Sequence, residues 1–99
     1  MRTFKNAEKA YYIARREGPK DDTRQACLSA PYWAYFYAHD VDKCPRNDTR
    51  QVALSNPYRA YLYALNVDKK LRNDTRQAVQ NSTWLIPYLR YVSKLTMIP

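Results

Sequence analysis

Asp-Thr-Arg-Gln stands at residues 22–25, 48–51 and 74–77, at a constant spacing of 26. Around it Leu28 matches Leu54, Pro31 and Tyr32 match Pro57 and Tyr58, Ala34 and Ala38 match Ala60 and Ala64, and 41–43 (Val-Asp-Lys) recurs at 67–69. A period of this length marks units that cannot bury their own apolar face and must cover one another. The sequence therefore predicts an all-α protein: a short α-solenoid of stacked helix-turn-helix repeats with a degenerate cap at each end. The 99 residues form a single domain, divided into an N-terminal half-repeat (1–20), two repeats (21–46 and 47–72) and a degenerate C-terminal repeat (73–99).

Each repeat reads as a short helix followed by a long one. Asp22, Asp48 and Asp74, each followed three residues later by Gln25, Gln51 or Gln77, predict a capping box at the start of the short helix. Pro31 and Pro57 predict the first turn of the long helix, where a missing N–H costs nothing. Ala34 and Ala38, like Ala60 and Ala64, form a small-residue ridge that lets a neighbouring helix approach closely. The first helix is expected over 1–17, capped by Thr3 and stopped at Gly18-Pro19. In the last unit the Pro-Tyr pair falls four residues later, at Pro87-Tyr88, which predicts a kink or a split helix.

One glycine among 99 residues excludes a glycine-rich phosphate loop. Cys27 and Cys44 are too few for a disulfide framework, and the expectation is a reducing, cytoplasmic setting with neither cysteine a nucleophile. Nine residues, 30–38, make the longest apolar run, far below the ~20 that span a bilayer, and Met1 leads into Arg2 and Lys5 without an apolar signal core. His39 is the only histidine; it replaces Leu65 and is expected to pack partly buried. No second histidine, paired acid or metal-ligand spacing accompanies it, so neither enzyme chemistry nor a cofactor or metal is expected.

The net charge of +8 is uneven: +4 over residues 1–20, −1 over 21–46, +3 over 47–72 and +2 over 73–99. Arg24, Arg50 and Arg76 recur in register with Asp22, Asp48 and Asp74, and Lys20, Arg46 and Arg72 form a second basic row. Two readings of these rows stand. One is an anion-binding rim, since Arg binds phosphate through two donors at once. The other is a set of ion pairs, Arg of one repeat with Asp of its own or the next, holding the units together. The tyrosines divide likewise: Tyr32, Tyr35, Tyr37, Tyr58, Tyr61 and Tyr63 read either as stacking platforms for unpaired bases or as packing between repeats, and those left exposed, with Tyr32 and Tyr58 as candidates, as anchors for a partner protein.

The stretches 29–38 (Ser-Ala-Pro-Tyr-Trp-Ala-Tyr-Phe-Tyr-Ala) and 55–64 (Ser-Asn-Pro-Tyr-Arg-Ala-Tyr-Leu-Tyr-Ala) resemble the short Tyr/Ala-rich helical repeats of small bacteriophage and bacterial proteins. The resemblance implies a phage or prokaryotic origin and a role in binding and modulating, including inhibiting, a host or defence protein in the bacterial cytoplasm. Two functions follow as expectations. The first is a non-enzymatic module that binds a host or viral protein, and no membrane, through Arg24, Arg50, Arg76, Lys20, Arg46, Arg72, Arg59, Tyr32 and Tyr58. The second is nucleic-acid binding by the same Arg/Lys ladder, with an affinity that falls steeply with salt.

Overall fold

The structure is a computed structural model that describes residues 2–96, with Met1 and the last three residues of the 73–99 unit outside the described part. Among the described residues all regular structure is helical. Helix α1 is Ala7–Glu17, its cap three residues later than the sequence suggested: Asn6, not Thr3, is the cap, its side chain accepting from the Lys9 N–H at 2.9 Å. Gly18 ends it with φ +90°, a conformation other residues rarely adopt, while its N–H bonds the Ala14 carbonyl.

The short helices are α2 (Asp21–Cys27), α4 (Asn47–Ala53) and α6 (Asn73–Val79). Their caps are Lys20, Arg46 and Arg72, in extended backbone and without a side-chain cap bond. The capping box is thus corrected. The carbonyls of Lys20, Arg46 and Arg72 accept the first helical bonds, from the Arg24, Arg50 and Arg76 N–H groups, so the helices start before the aspartates. Asp22, Asp48 and Asp74 instead sit inside the first turn and accept from the next residue, Thr23, Thr49 or Thr75, at 2.7, 2.7 and 2.8 Å. An orphan donor is still satisfied there, and a negative charge still lies at the positive end of the helix. The glutamines take no part and are exposed.

Helices α3 (Pro31–Phe36) and α5 (Pro57–Tyr63) begin on their prolines, as the sequence predicts. Each runs without a break into a π-helical turn, over Tyr37–Asp42 and Ala64–Asp68. Those turns were not anticipated. Each closes on a lysine in the left-handed region, Lys43 at φ 58° and Lys69 at φ 55°, whose N–H bonds the Ala38 or Ala64 carbonyl at 2.9 Å. Helix α7 (Leu85–Thr96) is regular. It starts so late that Pro87 falls in its first turn, and the expected kink or split does not occur.

The alanine ridges position these helices. Ala10 and Ala14 of α1 share a core cluster with Cys27 of α2; Ala38 shares one with Ala53 of α4; Ala60 and Ala64 share one with Val79 of α6. Each ridge thus receives the short helix that follows it, and all eight residues just named are fully buried. Tyr37, Tyr63 and Tyr88 close the three clusters in turn. The helices follow one another along a body of 48 × 29 × 17 Å.

A larger side chain on a ridge has nowhere to go. Ala64→Leu is expected to destabilise by about 1–3 kcal/mol through overpacking, whereas Gln51→Leu at an exposed site is expected to stay within about 0.5 kcal/mol. Urea unfolding followed by circular dichroism measures both.

Candidate functional site

The recurring arginines have two fates. Arg24 makes two parallel hydrogen bonds to Asp42, at 2.8 and 2.5 Å, and Arg50 does the same to Asp68. All four side chains are at most 5% exposed. Each guanidinium also lies over a tyrosine ring, Arg24 at 4.9 Å from Tyr37 and Arg50 at 5.3 Å from Tyr63. The tyrosine hydroxyls bond Thr23 or Thr49 Oγ1 at 2.8 Å and donate to the Lys20 or Arg46 carbonyl at 3.1 Å. Four side chains therefore lock each long helix and its π turn onto the short helix of the same unit. The extra residue in the wide turn brings the aspartate round to the arginine.

A ladder of three exposed arginines is accordingly not what the molecule presents. Arg24 and Arg50 are enclosed, and Arg76 alone of the three is exposed. The partner is the aspartate of the Val-Asp-Lys element, 18 residues on, rather than the aspartate in register. Asp22 is held by Arg2 at 2.8 Å, and Asp48 lies 3.6 Å from Arg24 as a secondary contact. Arg2 also grips Glu17 and holds its carboxyl down at about 2. The second basic row serves mainly as helix starts: the Lys20 side chain lies 3.4 Å from Glu17, Arg46 lies 3.9 Å from Asp48, and Arg72 donates to Asp74 at 3.4 Å.

Three of the remaining candidates come together. The Arg59 guanidinium sits 4.6 Å from the Tyr32 ring and 4.8 Å from the Tyr58 ring, a cation held between two aromatic faces. Tyr32 packs on Trp33 and Phe36, and Tyr58 on Trp84 at 4.4 Å. Tyr32 is 44% and Tyr58 37% exposed. The result is a band of ring and guanidinium surface across the first turns of α3 and α5, continued by Trp84. Tyr35, Tyr37 and Tyr63, by contrast, are buried packing residues. Trp84 escaped the sequence reading although it stands 26 residues after Tyr58 and was visible by the period.

A second polar contact links successive units. The Tyr11 hydroxyl donates to Asp40, and Tyr35 one unit later accepts from Asn66 Nδ2 at 2.8 Å. His39 is exposed rather than partly buried, its ring stacked on Tyr35 at 5.9 Å and its Nδ1 2.6 Å from Asp40 Oδ1. Burial acts to raise the Asp40 carboxyl, but the bonds from Tyr11 and His39 outweigh it and the net shift is downward. Burial pushes the Cys27 thiol up to about 12, while Cys44 is exposed. Among the described residues no group of His, Cys, Asp and Glu is arranged to hold a metal ion, and no helix is long and apolar enough to cross a membrane.

Comparison with protein-family models, curated proteins and solved structures returned no significant match to this chain.

Asp68→Ala leaves Arg50 buried without a counter-charge and is expected to cost about 3–5 kcal/mol, whereas the double change Arg50→Met with Asp68→Leu is expected to recover most of that loss. Chemical denaturation of the two variants against the parent chain checks both. With the native protein at pH 8, a thiol reagent such as dithiobisnitrobenzoate is expected to titrate one fast thiol per chain, Cys44. The Cys27 signal is expected only on unfolding.

Proposed function

We propose that this chain is a non-enzymatic protein-binding module, a short α-solenoid whose repeats hold a Tyr–Arg–Tyr–Trp band outward. The reading rests on one observation: Arg59 is clasped between Tyr32 and Tyr58 at an exposed edge. Tyr, Trp and Arg are the side chains that dominate protein interfaces, because they cover large area at low entropic cost and still offer donors at the rim. Ordering Arg59 in advance removes part of the entropic cost of immobilising it on association. The solenoid reading is supported by the repeated Arg-Asp-Tyr-Thr clamp and by ridges that each receive the next short helix. The resemblance to phage and bacterial Tyr/Ala-rich repeats points to a phage-encoded protein that acts in the host cytoplasm by binding and inhibiting a host or defence protein.

Burial of Arg24 and Arg50 removes two of the six basic residues of the ladder, Lys20, Arg46, Arg72 and Arg76 remaining, and a protein partner is favoured by the Tyr32, Arg59 and Tyr58 cluster, which does not depend on the ladder. The test is affinity capture from nuclease-treated bacterial lysate with the full chain, with Tyr58→Ala/Arg59→Ala and with Arg90→Ala. The parent chain and Arg90→Ala are expected to retain one stoichiometric protein. The double variant is expected to lose it, with affinity down by about 30-fold or more, the size of a hot-spot truncation of at least ~2 kcal/mol. Recovery of nucleic acid alone from untreated lysate, abolished by nuclease, would overturn the proposal.

A further inference from the structure

The third unit repeats the clamp with two of its parts missing. Tyr88 takes the place of Tyr37 and Tyr63: it is buried, and its hydroxyl donates to the Arg72 carbonyl at 3.4 Å, as theirs do to Lys20 and Arg46. Yet α7 has no π turn, and the aspartate that follows Tyr37 and Tyr63 by five residues has no counterpart. Five residues after Tyr88 stands Ser93, and Val92 lines the groove beside Arg76. By the 26-residue period the position belongs to Lys94, which lies in a different hollow with Tyr61 and Arg90. Arg76 has no ion pair among the described residues, and Thr75 Oγ1, buried like Thr23 and Thr49, lacks the tyrosine hydroxyl that theirs have.

We propose that the groove of about 260 Å³ formed by Leu71, Arg72, Asn73, Arg76, Tyr88 and Val92 is an open carboxylate receptor that docks a partner-protein segment presenting a Val-Asp or similar apolar-acidic pair. The occupant is defined by the chain itself. In the two complete units the same arginine takes an aspartate through both guanidinium nitrogens, with Val41 or Val67 immediately before that aspartate buried against the core. Here the arginine faces solvent, an exposed Leu71 offers the apolar contact, and Arg72, paired with Asp74 at 3.4 Å, stands on the same rim. Guanidinium–carboxylate pairing of this bidentate kind is both strong and geometrically selective. The site lies apart from the Arg59 band and stands on different residues, so either proposal can fail without the other.

The probe is the capped pentapeptide acetyl-Ala-Leu-Asn-Val-Asp-amide, the sequence of residues 64–68, titrated into the ¹⁵N-labelled full chain at low salt. The Arg76 side-chain Nε–H resonance is expected to shift saturably. The peptide ending in Asn is expected to bind about 10- to 100-fold more weakly, as loss of a charge-assisted hydrogen-bond pair implies. Arg76→Gln, checked for unchanged helix content by circular dichroism, is expected to abolish the shift, and Tyr58→Ala/Arg59→Ala to leave it intact. Equal binding of the Asp and Asn peptides, retention of binding by Arg76→Gln, or no saturable shift would overturn the proposal. So would a single-stranded oligonucleotide that saturates the Arg76 resonance while the peptide does not, since the receptor would then select phosphate.

Discussion

A guanidinium and a carboxylate buried together are the constraint from which the rest of each complete unit follows. Taking both ions out of water costs several kcal/mol apiece, and their attraction offsets this only if the geometry is good and no donor is left over. The chain meets those terms with a fixed set of neighbours. Asp42 or Asp68 accepts from two guanidinium nitrogens, a tyrosine ring covers the cationic face, and the tyrosine hydroxyl bonds a threonine and the carbonyl that starts the short helix. Such a pair adds little net stability over an apolar substitute. Its effect is on specificity, because a long helix that slipped by one turn would bury an unpaired charge. In a chain made of near-identical units, where apolar faces are interchangeable, that penalty fixes which long helix closes on which short one.

The same geometry divides the tyrosines. Tyr35 and Tyr37 face the neighbouring short helices and the clamp, whereas Tyr32, near the start of the same helix, points outward and lies against Phe36 one turn later. Arg59 of the next unit comes from an equivalent first turn and fills the gap between Tyr32 and Tyr58. The exposed band is therefore produced by the repeat itself: the first turn of each long helix is the part that neither the alanine ridge nor the clamp uses. Glu8 stands at the equivalent place in α1, so the band begins with the second long helix and is carried on by Trp84.

The period, the alternation of short and long helices and the proline starts were legible in the sequence because each rests on local chemistry: helix-start residues, a missing N–H, small residues four apart. The fate of Arg24 and Arg50 was not, since the choice between an outward rim and an ion pair depends on a residue 18 positions away and on a π turn that leaves no periodic trace. One sign was present. Val-Asp-Lys recurs with the same period, and the lysine of each copy adopts the left-handed conformation that ends the turn. The aspartates of Asp-Thr-Arg-Gln drew attention as partners because they are adjacent, yet an aspartate two residues before an arginine in a helix lies on a different face from it. His39 was read in part: equivalence with Leu65 suggested a partly buried site, and its ring does stack on Tyr35, but the side chain lies exposed beside Asp40.

The uneven charge along the chain reads differently once the pairs are known. Residues 21–46 are nearly neutral because they carry Asp21 and Asp40 where the next unit has Asn47 and Asn66, and Trp33 and Cys44 where it has Arg59 and Lys70, while both complete units close Arg24 or Arg50 internally. The positive excess lies in residues 1–20, with Lys5, Lys9, Arg15 and Arg16, in 47–72, where Arg59, Lys69 and Lys70 stand outside the clamp, and in 73–99, with Arg76, Arg90 and Lys94. Replacement of one aspartate in the last unit thus has two consequences at once. It removes the ion that would have enclosed an arginine, and it leaves Arg76 at the surface without an ion pair among the described residues. Arg76 is solvated and costs little where it stands, beside Leu71, Tyr88 and Val92 at the rim of a partly apolar groove. In the proposed reading, Arg76 and Thr75 are the half of a clamp whose complement is supplied by another molecule.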